Sequence, residues 1–188
     1  MDVAAAPSRL GWTAKKYYAW SRPDDGTLYE VLNGELIMTA SPVPRHQQLV
    51  FRIAKLIDAW ATAQAAGEVF VSPIDVVLGD DVVIPDVVFV SAGQRSIIGP
   101  ERIEGAPELV VEVLSLSTSQ RDLRLKWDLY ARSGVREYWV VNPEAATVEV
   151  LTLVNGAYQR HVLAQGETPI TSQVLSGFSA PVSSVFAP

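Results

Sequence analysis

Asp86 and Glu112 are the residues whose surroundings most demand a chemical explanation. Each interrupts an oily run, Asp86 in VIPDVVFV (83–90) and Glu112 in LVVEVL (109–114). An ionised carboxylate inside a buried strand is costly unless it is paired or coordinates a metal. Two such acids on adjacent strands could share one metal ion, and the chain between them has room for a loop and a return into a neighbouring strand. The alternative is two unrelated acids near strand ends, facing water. Glu35, in GELIM, could supply a third oxygen ligand or be an ordinary polar residue on a half-exposed hairpin. Lys126 follows Glu112 on the next helix, one turn past Asp122. An ammonium reaching back to Glu112 could orient a water nucleophile and neutralise charge developing on a phosphate. It could equally form an intrahelical pair with Asp122 on a solvated face.

Composition narrows the metal. There is no cysteine, so disulfides, thiolate nucleophiles and cysteine-held zinc are excluded. His46 and His161 are the sole imidazoles. A bound metal must therefore be held by oxygen, which points to Mg²⁺ or Mn²⁺. The net charge of −6 argues against undirected nucleic-acid binding but leaves room for a local basic patch. Candidate phosphate contacts are Arg45, Arg52 and Lys55 on one helix and Arg121, Arg124, Arg132 and Arg136 with Lys126 around another. Each reads equally well as a solvated helix face. No stretch approaches the ~20 apolar residues of a membrane helix, and the N-terminus lacks a signal-peptide pattern. The expectation is a cytoplasmic protein without membrane association.

The elements that must position these groups follow from periodicity. Residues 29–38 form two strand-like runs around Asn33-Gly34, a hairpin signal. From Arg45 to about Gln64, Leu49, Ile53, Leu56, Ile57 and Trp60 recur at helical spacing, and Gly67 stops the helix. Strands are expected over 68–72, 74–78 and 83–90. The run 109–114 reads as a central strand buried on both faces. Leu114 shares its side with Glu112, toward a following helix capped by Ser117 or Thr118. That helix carries Leu123, Trp127, Tyr130 and Ala131 as its apolar face and ends at Gly134. A buried strand over 137–141, a terminal hairpin around Asn155-Gly156 and a closing tail complete the chain. The order predicts a single-domain α/β (α+β) fold, a mixed sheet flanked by helices, with 1–26 a loosely tied arm and short helix and 27–188 the main domain. No Gly-rich phosphate loop follows any strand.

Over Tyr29 to about Leu153 the motifs LNGELIM, SPVPRHQ, VIPDVVFV, GAPELVVEVLSLST and RDLRLKWDLYARSGVREYWVVNP occur in an order that resembles the Uma2 family. The resemblance implies a PD-(D/E)XK nuclease domain, restriction-endonuclease-like, with a Mg²⁺-dependent phosphodiesterase site acting on nucleic acid, DNA first. It carries Asp86 and Glu112 onto the metal-binding acids, Lys126 onto a lysine relocated to the helix, and Glu35 onto an acid from the N-terminal part of the fold. Leu114 stands where the lysine usual in the superfamily would be. His46 and Gln47 match the polar start of the first long helix. The chain departs from the family pattern at Leu116, where proline is usual, and at Asn142, where aspartate is frequent. Asp75 is a further candidate acid, more simply read as a strand-edge polar residue. Two other readings stay open: a catalytically silent binding module, and a structural homo-oligomer. A homodimer would pair through the terminal hairpin at a sheet edge.

Overall fold

In a computed structural model the described residues are 10–23, 26–39, 41–115 and 120–187. The chain runs α1 (Ala14–Ala19), β1 (Leu28–Leu32), β2 (Glu35–Thr39), α2 (Pro44–Gln64), β3 (Gly67–Val71), β4 (Val76–Leu78), β5 (Asp81–Val83) and β6 (Val87–Ser91). A 3₁₀ segment (Ala92–Ile97), β7 (Ile103–Glu104), β8 (Leu109–Val113), α3 (Gln120–Ser133) and β9 (Glu137–Asn142) follow. The chain closes with β10 (Thr147–Val154), β11 (Ala157–Ala164), β12 (Ile170–Thr171), β13 (Ser179–Ala180) and α4 (Ser183–Phe186). Both Asn-Gly pairs take positive φ at each residue, Asn33 at 51° with Gly34 at 77° and Asn155 at 52° with Gly156 at 82°. That is the backbone a tight two-residue hairpin demands.

Two mixed sheets share the molecule. One has the order β2-β1-β5-β4-β7 and the other β11-β10-β9-β8-β6-β3, with a separate β12-β13 pair. The β8–β9 pairing is parallel, as a helical crossover through α3 allows. Strand alternation sorts the large sheet into two faces. Val87, Phe89, Leu109, Val111, Val113, Trp139 and Val141 pack with α2 and the C-terminal segment. Val88, Val90, Val110 and Tyr138 face the α3 side with Leu129, Tyr130 and, from the small sheet, Leu32 and Val83. Asp86 and Glu112 have the parity of Val88 and Val110, and Glu30 that of Leu32. Glu30 and Glu112 consequently look toward α3, while Asp86, outside the strand proper, turns its carboxylate onto the Val113 N–H and His46.

Several sequence expectations are corrected. The run 83–90 is two strands in two sheets, because Pro85 has no N–H for a ladder and the chain leaves β5 for β6 across Ile84-Pro85-Asp86. Asp86 sits at that break, although its backbone N–H still donates to Val111 O at 3.1 Å. Helix α2 ends at Gln64 as expected, but the residue that stops it is Ala65, in the left-handed conformation, rather than Gly67. Gly67 is required for packing instead, since a Cβ there would meet Val90 O at 2.1 Å. Within the described part of the N-terminal stretch, Trp12 and Tyr17 are buried against the β1–β2 hairpin with Tyr29, Val31 and Leu36.

The tail is fastened by a single carboxylate. Glu137, fully buried on β9, accepts from Trp139 Nε1 at 2.7 Å, Ser172 Oγ at 2.6 Å and the Gln173 N–H at 2.8 Å. Truncating it would leave the buried Trp139 N–H unpaired and free the part-buried Ser172 and Gln173 donors, a buried unpaired group costing about 1–3 kcal/mol. Glu137→Ala should lower unfolding free energy by about 3 kcal/mol or more in denaturant titration, and Glu137→Gln by less. An unchanged midpoint for Glu137→Ala would contradict this role.

Candidate functional site

Strand β1, the β5–β6 break, β8 and α3 bring four charged side chains into one cleft of about 450 Å³. Lys126 lies at its centre. Its Nζ donates to Glu112 Oε1 and lies against Glu30 Oε1, both at 2.9 Å. Glu30 also receives the Ile84 N–H at 2.7 Å, which ties β1 to the chain just before Asp86. Glu112 receives the Tyr130 hydroxyl at 2.7 Å, one helical turn beyond Lys126 on the same face of α3. Asp86 Oδ2 takes the Val113 N–H at 2.7 Å and lies 3.2 Å from His46 Nε2. The same Nε2 lies 3.1 Å from Val113 O, so it carries the proton and donates to both acceptors. Nδ1 of His46 is buried with no partner among the described residues.

Burial and charge work against each other here. Burial above all, with Asp86 and Glu30 adding to it, pushes Glu112 up to about 7 against the opposing pull of the Lys126 ammonium and the Tyr130 hydroxyl. For Lys126, burial opposes the charge, but Glu112 and Glu30 override it and hold the amine well above its ordinary value. The amine keeps its proton and Glu112 is the member that titrates. Tyr130, raised by burial and then by Glu112 and Glu30, stays a donor. His46 is raised chiefly by its hydrogen bond to Asp86, against the opposing effect of burial.

Asp86, Glu112 and Lys126 thus converge in one cleft, as the sequence suggested. Glu35 does not join them. It pairs with Leu32, two residues further along β1 than Glu30 and nearer the turn, a displacement of roughly 7 Å along the strand. Glu30, opposite Ile37, is the N-terminal acid in the cleft. Its signal was the same as that of Asp86 and Glu112, an acid inside an oily run, YEVL. Tyr130 was legible only as a helix-face aromatic. His46 and Gln47 line the cleft at the start of α2. Asp75 lies elsewhere, accepting from Tyr18 at 3.0 Å. Asn142 builds a turn by accepting from the Glu144 and Ala145 N–H groups, both at 3.0 Å. Leu116, Ser117 and Thr118 lie outside the described residues, as do the side chains of Arg121 and Asp122.

The expected basic groups are engaged away from the cleft. Arg45 donates to Pro143 O and Arg52 to Val185 O, Arg132 pairs with Asp81, Arg136 with Glu108, and Lys55 rests on the Phe51 ring. Arg124 is exposed on α3. Among the described residues no three Asp, Glu or His side chains stand close enough to hold a metal ion as placed. The physical reason is visible: Lys126 sits between Glu30 and Glu112, and Asp86 is turned onto Val113 and His46.

Removing the ammonium should expose the cost of these carboxylates. Because Glu112 is raised in the fold, the folded chain binds more protons than the unfolded one between about 4.5 and 7, and this contribution to stability falls as pH rises through that window. Lys126→Met takes away the group that lowers Glu112, which extends the window upward. Its loss of stability should be about 3–5 kcal/mol at pH 8 and distinctly smaller at pH 5, where the carboxylates accept protons. Equal losses at both pH values in chemical denaturation would contradict the assignment.

Comparison with known proteins places this geometry in a family. The family model described as "Putative restriction endonuclease", Uma2, matches residues 14–183. A solved structure with the same fold is that of a "putative nuclease belonging to DUF820" from Anabaena variabilis. The match has a TM-score of 0.78 at 16% identity, covering 93% of this chain and 97% of the other. No curated protein matches the chain. The matched span runs from α1 to α4 and takes in every element that supplies the cleft: the chain belongs to the Uma2 family.

Proposed function

We propose that the protein is a Mg²⁺- or Mn²⁺-dependent endonuclease that hydrolyses phosphodiester bonds in DNA. The observation that supports this most strongly is the convergence of Asp86, Glu112 and Lys126, from two sheets' junction and a helix, in one cleft. The donor set suits a hard divalent cation, since carboxylate oxygens are its preferred ligands and neither cysteine nor a histidine cluster competes. Asp86 and Glu112 would hold the ion. A divalent cation supplies charge neutralisation at the scissile phosphate and a more acidic water.

The chain's own groups do the rest. Glu30 holds the Lys126 ammonium in the cleft, where its one remaining N–H donor can orient a water or stabilise charge on the phosphate. Tyr130 fixes the Glu112 carboxylate through the same oxygen that Lys126 engages. His46 orients Asp86 and the Val113 carbonyl together. The same reading carries a cytoplasmic location and a homodimer paired through β11, an edge strand of the large sheet. No described helix is long and apolar enough to cross a membrane.

One observation favours a second reading, a catalytically silent binding module: the Lys126 ammonium already compensates two carboxylates without a metal. Titration with Mn²⁺ separates the two readings, because only the nuclease requires a site that Asp86→Ala abolishes. The direct assay is cleavage of plasmid and single-stranded DNA with Mg²⁺ or Mn²⁺. Asp86→Ala and Lys126→Ala should each lower the rate on the order of 100-fold or more, with folding checked by circular dichroism. Cleavage untouched by either substitution would refute the assignment.

A further inference from the structure

We propose that the cleft accepts a nucleotide whose base has left the stack, so that the substrate is single-stranded DNA and not an intact duplex. The inference rests on the nuclease reading above and adds the substrate class. Three independent features of the cleft lead to it.

The first is depth. The side chains of Glu30, Asp86, Glu112 and Lys126 are only 6–12% exposed. A phosphate can reach them only by descending into a space of about 450 Å³, near the small end of ordinary ligand pockets at roughly 300–1,000 Å³. Such a space admits a nucleotide or so, whereas a paired and stacked duplex presents its phosphates on a wide, rigid cylinder. An unpaired strand can bend to lower one phosphate and its base into such a recess, whereas a duplex must first give up pairing and stacking at that nucleotide.

The second is the wall. Beside the charged floor the described lining is largely apolar, with Leu28, Ile37, Val43, Ile84 and Leu123 among it. Val43 is 59% exposed at the mouth. This surface suits the flat face of an unstacked base, which apolar side chains can hold as well as aromatic ones.

The third is charge. The described lining contains three carboxylates and one lysine, itself engaged by two of them, and no arginine. Duplex binding depends on several Lys or Arg contacts to successive phosphates, and among the described residues this cleft offers no such track. A single phosphate approaching beside a divalent cation, with its base in the apolar wall, needs none.

The test uses the full chain with Mn²⁺ and end-labelled oligonucleotides of one sequence, either single-stranded or annealed to the complement. The single strand should be cut at least about 10-fold faster than the duplex, and the single-strand rate should fall little between low and moderate salt. Val43→Asp, at an exposed position that leaves the core intact, should raise KM for the single strand several-fold while kcat changes less. Duplex cleavage equal to or faster than single-strand cleavage would overturn the substrate inference and leave the nuclease reading standing. No Mn²⁺-dependent cleavage of either strand form would overturn both.

Discussion

A lysine ammonium shared between two buried carboxylates is the interaction around which this molecule is organised. Lys126 on α3 touches Glu30 from the small sheet and Glu112 from the large one, so three separately formed elements meet at one charge. Buried ions are expensive to desolvate, and removing one partner costs more than the pair itself contributes. Once the three are in place, none can be displaced alone. The sheets are thereby held at a fixed separation with a cleft between them. Arg132 on the same helix, paired with Asp81 and bonded to Asn33, repeats the tie at the other side of the hairpin.

Charge arithmetic at the floor gives the site its character. Two carboxylates face a single ammonium, with Asp86 nearby on Val113 and His46, and Glu112 rises to about 7 even with that ammonium beside it. The floor is confined and formed of hard oxygen donors around one amine. Proline contributes by what it lacks. Without an N–H, Pro85 ends one ladder and lets the chain change sheets, and Asp86 is delivered to the gap so created instead of lying within a continuous strand.

Much of this was legible in the sequence because the cost of a buried charge is a local property. Asp86 and Glu112 could be picked out from their oily neighbours alone, and helix periodicity with strand parity pointed Lys126 at Glu112. Glu30 carries the same mark and was passed over for Glu35, since both lie on one hairpin and only the register, Glu30 opposite Ile37, decides which reaches the cleft. The division of 83–90 between two sheets was likewise hidden: pairing partners are long-range, and a proline in an oily run signals a break without saying where the chain goes next. His46 bridging Asp86 and Val113 depends on how α2 crosses the end of β8, which no spacing along the chain encodes. The arginines misled because helix-face charges say nothing about their distant partners, such as Pro143 for Arg45.

The account stands or falls on whether the carboxylates serve a cation. Anomalous diffraction from crystals soaked in Mn²⁺ tests this most directly. The expected result is one strong peak in contact with the carboxylates of both Asp86 and Glu112, absent from crystals of Asp86→Asn. Mn²⁺ bound elsewhere, or no bound Mn²⁺ with Glu112 still on Lys126 and Asp86 still on Val113, would contradict it.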